Sequence, residues 1–344
     1  TYANSNKTIS GATRTNANRV DLNRNYPAFI RGDHPDGREW QTETLAMINY
    51  LKEIKPSISA NIHAGAEVVN YPWDNNYSYH ADDQWFNFLS REYADTARLL
   101  SSDYMNSDEF DNGVIRGAFW YLIYGGRQDY VTYYLDGREI TLELSDIKVP
   151  HEDSIYSLWN LNYRSLLNFI SQAKYGVHGI VVDTFSKSPV QARIKVLGHD
   201  DENSEILSSP KTGKFFRYLK SGTYNLSCSA PGYYRKIVSS VEVEDYETTP
   251  ITIHLRPPVG LNILISPNPI TGQSVKMIVT SDFQGYIFLS VYHLSGILIN
   301  ESFHFLESGL NEIEISVDQM PSGAGVIKIQ TSEEVVVKKI IKLK

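Results

Sequence analysis

Arg14-Thr-Asn-Ala-Asn-Arg-Val-Asp-Leu-Asn-Arg-Asn-Tyr-Pro27 sets Arg14 and Arg24 among Asn16, Asn18, Asn23 and Asn25. A guanidinium offers a carboxylate a planar, two-pronged donor, and an asparagine amide adds a neutral donor beside it. The stretch reads either as a place that holds a carboxylate or as a polar loop whose arginines pair with surface acids. Taken alone, it does not separate the two.

Three further stretches follow it: His63-Ala-Gly-Ala-Glu-Val-Val-Asn-Tyr-Pro-Trp-Asp74, Gly117-Ala-Phe-Trp-Tyr-Leu-Ile-Tyr-Gly-Gly-Arg-Gln-Asp129 and Ile140-Thr-Leu-Glu-Leu-Ser145. In this order and spacing the four blocks resemble the zinc metallocarboxypeptidases of the carboxypeptidase A type, and within them the carboxypeptidase N/E/D subgroup. The resemblance covers roughly the first half of the chain. It implies an α/β catalytic domain with a mixed sheet, a zinc cofactor and cleavage of a C-terminal residue from a peptide or protein.

Hydrophobic periodicity places the blocks. Residues 42–54 read as a helix capped by Thr42, with Met47, Tyr50, Leu51 and Ile54 on one face, stopped by Pro56. Ser57–His63 reads as a strand with His63 at its carboxyl end. Asp83–Ser101 reads as a helix burying Phe86, Leu89, Tyr93, Ala97 and Leu100. Glu139–Leu144 reads as a strand with Ile140, Leu142 and Leu144 alternating. Asp153–Ala173 reads as a helix capped by Asp153, with Leu158, Leu161, Leu166 and Ile170 on its apolar face. Helices alternating with apolar strands predict an α/β sheet, whose ligands gather at the carboxyl ends of strands.

After Tyr175 the helical period stops, and short strands recur between turn residues, as in an all-β sandwich. Gly179-Ile-Val-Val-Asp183, Thr212-Gly213, Leu219–Leu226 and Ala230-Pro-Gly-Tyr233 resemble the transthyretin-like domain that follows the catalytic domain in the same subgroup. Arg256-Pro-Pro-Val-Gly260 reads as a linker. Pro267-Asn-Pro269, Val291–Gly296, Gly309–Ser316 and the basic end Lys338–Lys344 resemble the C-terminal sorting domain of the type IX secretion system. The expected division is therefore 1–174 catalytic, with the N-terminal portion of that domain lying before Thr1, then 175–256 transthyretin-like and 261–344 sorting.

Composition agrees with a chain of two or three domains. The 344 residues are 42% hydrophobic, enough for real cores, and the net charge of −8 argues against a nucleic-acid partner. The imbalance lies in residues 1–173, with 15 Lys+Arg against 23 Asp+Glu, whereas residues 174–344 carry 17 of each. A negative catalytic part favours cationic substrates. The single Cys228 excludes an intrachain disulfide and reads as a small apolar strand residue. No apolar run reaches membrane-spanning length. The chain starts at Thr1 rather than Met, which implies a trimmed, processed or partial start. The sorting resemblance implies the type IX machinery as a partner and a secreted or cell-surface location in a Gram-negative bacterium.

By resemblance, His63 is a zinc ligand, Glu143 the general base and Arg14 the partner of the oxyanion. Asn23 and Arg24 hold the substrate's terminal carboxylate, Tyr121 closes over it, and Asp74 and Gln128 line the pocket for the last side chain. An acid in that pocket implies release of Lys or Arg. Catalytic zinc takes three protein ligands; the family's other two, in a His-x-x-Glu motif, are expected before Thr1. Ala64 and Arg19 stand where the pattern has glycine, and Arg127 where it has an apolar residue, so a cation is expected near the pocket. Two other readings stay open: a binding module that holds peptide C-termini without cleaving them, and a carboxypeptidase acting on cell-wall peptides.

Overall fold

A computed structural model describes residues 13–201, 203–257, 260–281, 284–331 and 335–343. Residues 1–12, Pro258 and Val259 of the expected linker, and Lys344 lie outside the described residues. The chain divides into two compact units between Leu255 and Arg256, with Gly232–Tyr234 grouped with the second.

The first unit begins with a four-stranded mixed sheet. β1 (Ile58–His63) runs parallel to β4 (Arg138–Ser145), β2 (Ala66–Tyr71) lies antiparallel to β4, and β3 (Val114–Arg116) is parallel to β2. The order is β1-β4-β2-β3. Successive strand side chains point to opposite faces. Ile140 and Leu142 of β4 are therefore fully buried against the helices, and Glu139, Thr141 and Glu143 take the other face. Five helices accompany the sheet: α1 (Thr42–Ile54), α2 (Asp83–Arg98), α3 (Gly117–Trp120), α4 (Arg127–Tyr134) and α5 (Glu152–Gln172).

The main core joins Trp85, Phe86, Leu89, Tyr93, Ala94 and Ala97 of α2 to Val69, Val114, Ile140 and Leu142 of the sheet and Phe169 of α5. Leu100 is exposed, because α2 ends at Arg98. Ile170 is exposed as well. The buried stripe of α5 is Asn162, Ser165, Phe169 and Gln172, a largely polar face that periodicity cannot mark. It is satisfied in detail: Tyr93 donates its hydroxyl to Asn162 Oδ1 at 3.0 Å, Asn162 Nδ2 donates to Tyr104 at 2.8 Å, and Ser165 donates to the Tyr93 carbonyl at 2.8 Å. On α1 the buried residues are Thr44, Ile48 and Leu51, while Tyr50 and Ile54 face solvent. The expected caps also shift, by one residue at α1 and by two at α5. Gln41 precedes α1 without a side-chain cap bond, and His151 Nδ1 caps α5 by accepting the Asp153 N–H.

The same unit continues into two packed sheets. One orders β10 (Lys236–Val243), β9 (Gly222–Ser229), β6 (Arg193–Val196) and β7 (Ile206–Leu207); the other orders β11 (Thr248–Leu255), β5 (Gly176–Asp183) and β8 (Lys214–Arg217). β7 and β8 were not anticipated: they are short, and Lys214-Phe-Phe-Arg217 offers only one buried apolar position, Phe215. Cys228 is buried in β9, where burial pushes its thiol up to about 12.

This β region shares its core with the mixed sheet. Tyr218 stacks on Trp85 at 5.3 Å and donates to Ser57 Oγ at 2.9 Å. Asp82 is fully enclosed between Arg138 of β4 (Nε to Oδ2, 2.7 Å) and Arg217 of β8 (Nη1 to Oδ2, 2.8 Å), and Arg217 also reaches Asp200. The two guanidiniums hold the Asp82 carboxyl well below the usual range against the opposing pull of burial. Burial and the same guanidiniums push the neighbouring His80 imidazole down to about 3, although Asp82 opposes this.

The second unit is a β-sandwich of two sheets, β12 (Asn262–Ser266), β13 (Ser274–Ser281) and β16 (Gly309–Ser316) against β15 (Leu298–Leu306), β14 (Gly285–His293), β17 (Gly323–Gln330) and β18 (Val335–Lys342). Val275, Met277, Ile287, Leu289, Ile327, Ile329 and Ile340 are among its core residues. The Asn-Pro turn is tied to the basic last strand: Asn268 Oδ1 accepts the Ile341 N–H at 3.0 Å, and its Nδ2 donates to the Lys339 carbonyl at 3.0 Å.

Candidate active site

Of the four asparagines in the opening stretch, three are scaffolding. Asn16 Oδ1 accepts the N–H groups of Asn18 and Val20, and its Nδ2 donates to Gln41 and Glu43. Asn18 donates to Gln41 Oε1 at 2.7 Å. Asn25, fully buried, donates to Asp36 and accepts from the Gln41 backbone. Asn23 differs: its Oδ1 accepts the Arg127 backbone N–H at 2.9 Å, which joins the stretch to the start of α4. Asp21 closes the turn at residues 22–24 by accepting the Asn23 N–H, and its other oxygen takes Arg14 Nε at 2.6 Å. Arg24 folds back onto the Asn23 carbonyl at 2.7 Å. Tyr26 donates its N–H to Gly125 O at 3.1 Å. Gly125 has φ +73°, and a Cβ there would lie 2.3 Å from the Arg24 carbonyl, so only glycine allows this approach.

His63 and Glu143 are register partners at the carboxyl ends of parallel β1 and β4, with Nδ1 and Oε1 4.0 Å apart. Burial, with Arg14 next, pushes the His63 imidazole down to about 4, while burial raises Glu143 to about 7 against the pull of Arg14 and Lys148. At neutral pH the imidazole is uncharged, so the contact is not an ion pair. It brings together an imidazole in the neutral form that metals bind and a carboxyl that burial moves toward neutrality. Glu143 Oε2 is buried with no hydrogen-bond partner among the described residues. Arg14, Arg24 and Arg127 all act on His63 electrostatically, so the structure gathers the opening stretch around this strand end.

Asp74 follows β2 and is buried, 2% exposed. Its Oδ1 accepts from Asn70 Nδ2 at 3.1 Å and from Gln128 Nε2 at 3.2 Å. Burial raises its carboxyl above the ordinary range. Below it Asp129, also buried, accepts the backbone N–H groups of Asp74 and Asn75, and burial plus the Asp74 charge raise it further. Gly117 completes the wall, since a Cβ there would lie 1.7 Å from Asp74 Oδ1. Gly126 stands between the two halves of the site: a Cβ on it would be 3.6 Å from Asp74 Oδ2 and 3.8 Å from Asn23 Oδ1. Asn70 and Asp129 were not singled out from sequence. Asp129 carried a usable signal, a carboxylate one position past Gln128 on the buried side of a short helix.

Arg127, the cation expected near the pocket, turns away from it: Nη2 donates to Glu139 Oε2 at 3.0 Å, and Ser59 Oγ donates to the same oxygen at 2.6 Å. Tyr121 lies after α3 with 44% of its surface exposed, edge-on to Trp120, and is not closed over the other site residues.

Among the described residues, one group of three ligand-type side chains lies close enough to hold a cation: Asp82, His199 and Asp200. It is a poor metal centre, because Arg217 already neutralises both carboxylates. His63 belongs to no such group. The described residues thus fit part of a zinc site, one neutral imidazole beside one carboxyl with an unpartnered oxygen, and do not complete its three-ligand set.

Family models match two parts of the chain. A family model described as zinc carboxypeptidase matches residues 1–165, and one described as secretion system C-terminal sorting domain matches residues 264–343. Carboxypeptidase SOL1 of Arabidopsis thaliana is 37% identical over 231 residues, 65% of this chain and 46% of its own length. Carboxypeptidase D of Homo sapiens is 33% identical over 265 residues, 73% of this chain and 19% of its own length. The catalytic chain of carboxypeptidase N of Homo sapiens is 32% identical over 271 residues, 71% of this chain and 58% of its own length. The chain spans less than two thirds of each of these relatives. Its residues 1–165 belong to the zinc carboxypeptidase family, and residues 264–343 to the secretion system C-terminal sorting domains.

Proposed function

We propose that this chain belongs to a secreted carboxypeptidase that uses zinc to release a C-terminal Lys or Arg from peptides or proteins. The observation that carries the basic specificity is Asp74: a buried carboxylate held by Asn70 and Gln128 in a wall that excludes a Cβ at Gly117. A cationic side chain entering such a site relieves a charge that burial disfavours.

The roles follow from the bonds each residue already makes. Arg24 and the free amide nitrogen of Asn23 would take the substrate's terminal carboxylate, with Asn23 oriented by the Arg127 N–H. Arg14 is held through Nε, which leaves its terminal nitrogens to donate to the oxyanion. Tyr121, exposed in this structure, would move over the bound end. Glu143 would take a proton from the attacking water and give it to the leaving amine, a task suited to a carboxyl near pH 7. His63 would be one ligand of the zinc, which when bound supplies a Lewis acid for the scissile carbonyl. Residues 175–256 would serve as a transthyretin-like accessory domain, and residues 261–344 as the signal read by the type IX secretion machinery, placing the protein outside the cell or on its surface. Among the described residues no helix is long and apolar enough to cross a membrane.

A second reading, capture of peptide C-termini without cleavage, is favoured by one observation: His63 is the one ligand-type imidazole the described residues bring to Glu143. The experiment is hydrolysis of peptides ending in Arg, Lys and Leu, with added zinc and with a chelator, beside calorimetric binding of the same peptides. Zinc-dependent release of Arg and Lys supports the enzyme. Binding without release under every metal condition supports the capture module and removes the enzymatic reading.

A further inference from the structure

Around Asp74 the surface carries rings that the proposed chemistry does not use. Tyr77, Tyr79 and Phe119 are 60%, 61% and 54% exposed. Tyr77 meets Phe119 edge-on at 5.6 Å, and Tyr79 lies nearly parallel to Phe119 at 6.5 Å. The Arg116 guanidinium sits 3.7 Å from the Tyr79 ring centre and 4.9 Å from that of Phe119, and Asp83 holds it by a 2.8 Å bond. The rings are thus fixed before any ligand arrives. Their one cation is already matched by an acid, so the shelf presents neutral aromatic faces.

The shelf is built from the same two loops as the pocket. Ala118 donates its N–H to Trp73 O at 2.8 Å, and Ile123 to Asp74 O at 2.9 Å, on either side of Phe119. Gly117, two residues before Phe119, is in contact with the Asp74 carboxylate. An extended peptide advances about 3.3–3.6 Å per residue. A substrate whose last side chain is seated on Asp74 thus has these rings on the loops that wall its pocket.

We infer that Tyr77, Tyr79 and Phe119 form a subsite for the substrate residue one or two positions before the C-terminal one, and that it selects an aromatic side chain there. This rests on the carboxypeptidase reading above. Ring pairs in offset or edge-on geometry contribute beyond simple burial, enough for a preference of about tenfold. An acidic side chain gains nothing, since Arg116 is engaged by Asp83.

The test uses peptides ending in Arg, with Trp, Ala or Asp at each of the two preceding positions, and compares the parent with Phe119→Ala and Tyr79→Ala. The expected result is a kcat/KM about tenfold higher for Trp than for Ala at one of the two positions, lost in both variants while the all-Ala peptide is cleaved as before. Hydrolysis with a Trp/Ala ratio that neither substitution changes overturns the subsite and leaves the carboxypeptidase reading standing. Absence of hydrolysis overturns that reading instead, and calorimetric binding to Glu143→Gln then decides the subsite. Tighter binding of the Trp peptide, abolished in Glu143→Gln/Phe119→Ala, supports it; equal binding of the Trp and Ala peptides overturns it.

Discussion

Arg127 pairs with Glu139 across the face of the mixed sheet, Nη2 to Oε2 at 3.0 Å, while its backbone N–H holds Asn23 Oδ1 at 2.9 Å. One residue thus fixes a proposed carboxylate-binding amide through its main chain and neutralises a buried acid with its side chain. The cation is spent on Glu139, so it does not oppose a basic substrate at Asp74.

Arg127→Met should therefore act through Glu139. Removing one partner of a fully buried ion pair costs about 3–5 kcal/mol. Arg127 is partly exposed, which lowers the expected loss to about 2 kcal/mol. Denaturant unfolding should show that loss in Arg127→Met and its partial recovery in Arg127→Met/Glu139→Gln. Equal stability of the single variant and the parent would mean that the pair contributes nothing.

Asp74→Asn should change discrimination rather than chemistry. Losing one partner of a desolvated charge pair costs about 2–5 kcal/mol, or roughly 30-fold to several thousand-fold in kcat/KM for peptides ending in Arg or Lys. Peptides ending in Leu should be cleaved as before. Glu143→Gln should abolish cleavage of every peptide while leaving binding intact. An Arg/Leu ratio unchanged by Asp74→Asn would remove the basic-specificity proposal.

His80 gives a pH prediction with a definite sign. Its imidazole falls from an ordinary 6.5 to about 3 on folding. Between those values the unfolded chain holds a proton that the folded one lacks, so this contribution is complete above pH 6.5 and is lost as pH falls toward 3. One proton corresponds to about 1.4 kcal/mol per pH unit. The raised carboxyls of Asp74, Asp129 and Glu143 act in the opposite direction, so the comparison must be between His80→Asn and the parent. The variant should show a shallower fall of unfolding free energy from pH 6 to pH 4, by up to that slope. Parallel curves would contradict neutral burial of His80.

Deletion of residues 261–344 should leave the unfolding midpoint of the first unit and any peptidase activity unchanged, because those residues form a separate compact unit with its own core. In the native host the truncated protein should stay in the cell envelope, as fractionation would show. Unchanged export would sink the sorting proposal.

Much of this was legible in the chain because it depends on local order. The period of apolar residues located α1, α2, α5, β1 and β4 and the change to strands after Tyr175, but not the short α3 and α4 or β2 and β3. His63 and Glu143 could be placed at strand ends because each follows an alternating apolar run. The four blocks carried the family, since residue type and spacing survive in one dimension. What stayed hidden depended on neighbours distant in sequence. The buried face of α5 is largely polar, and beyond a local bond from Asn162 to the Leu158 carbonyl, Asn162 and Ser165 find their partners in Tyr93 and Tyr104, roughly sixty to seventy positions away. The direction of Arg127 depended on whether a buried acid lay within reach, and Glu139 reaches it because β4 passes beside α4.

The sequence by itself determined the fold class, the family of its first 165 residues and the identities of the candidate site residues, because periodicity and motif spacing are properties of the chain. The tertiary structure alone decided which asparagine faces the site, that Asp74 sits on Asp129 behind Gly117, and that Asp82 joins the mixed sheet to the following β region through Arg138 and Arg217. Each of these turns on desolvation: a polar group leaves water only where folding brings a partner to it, and that partner can lie anywhere in the sequence.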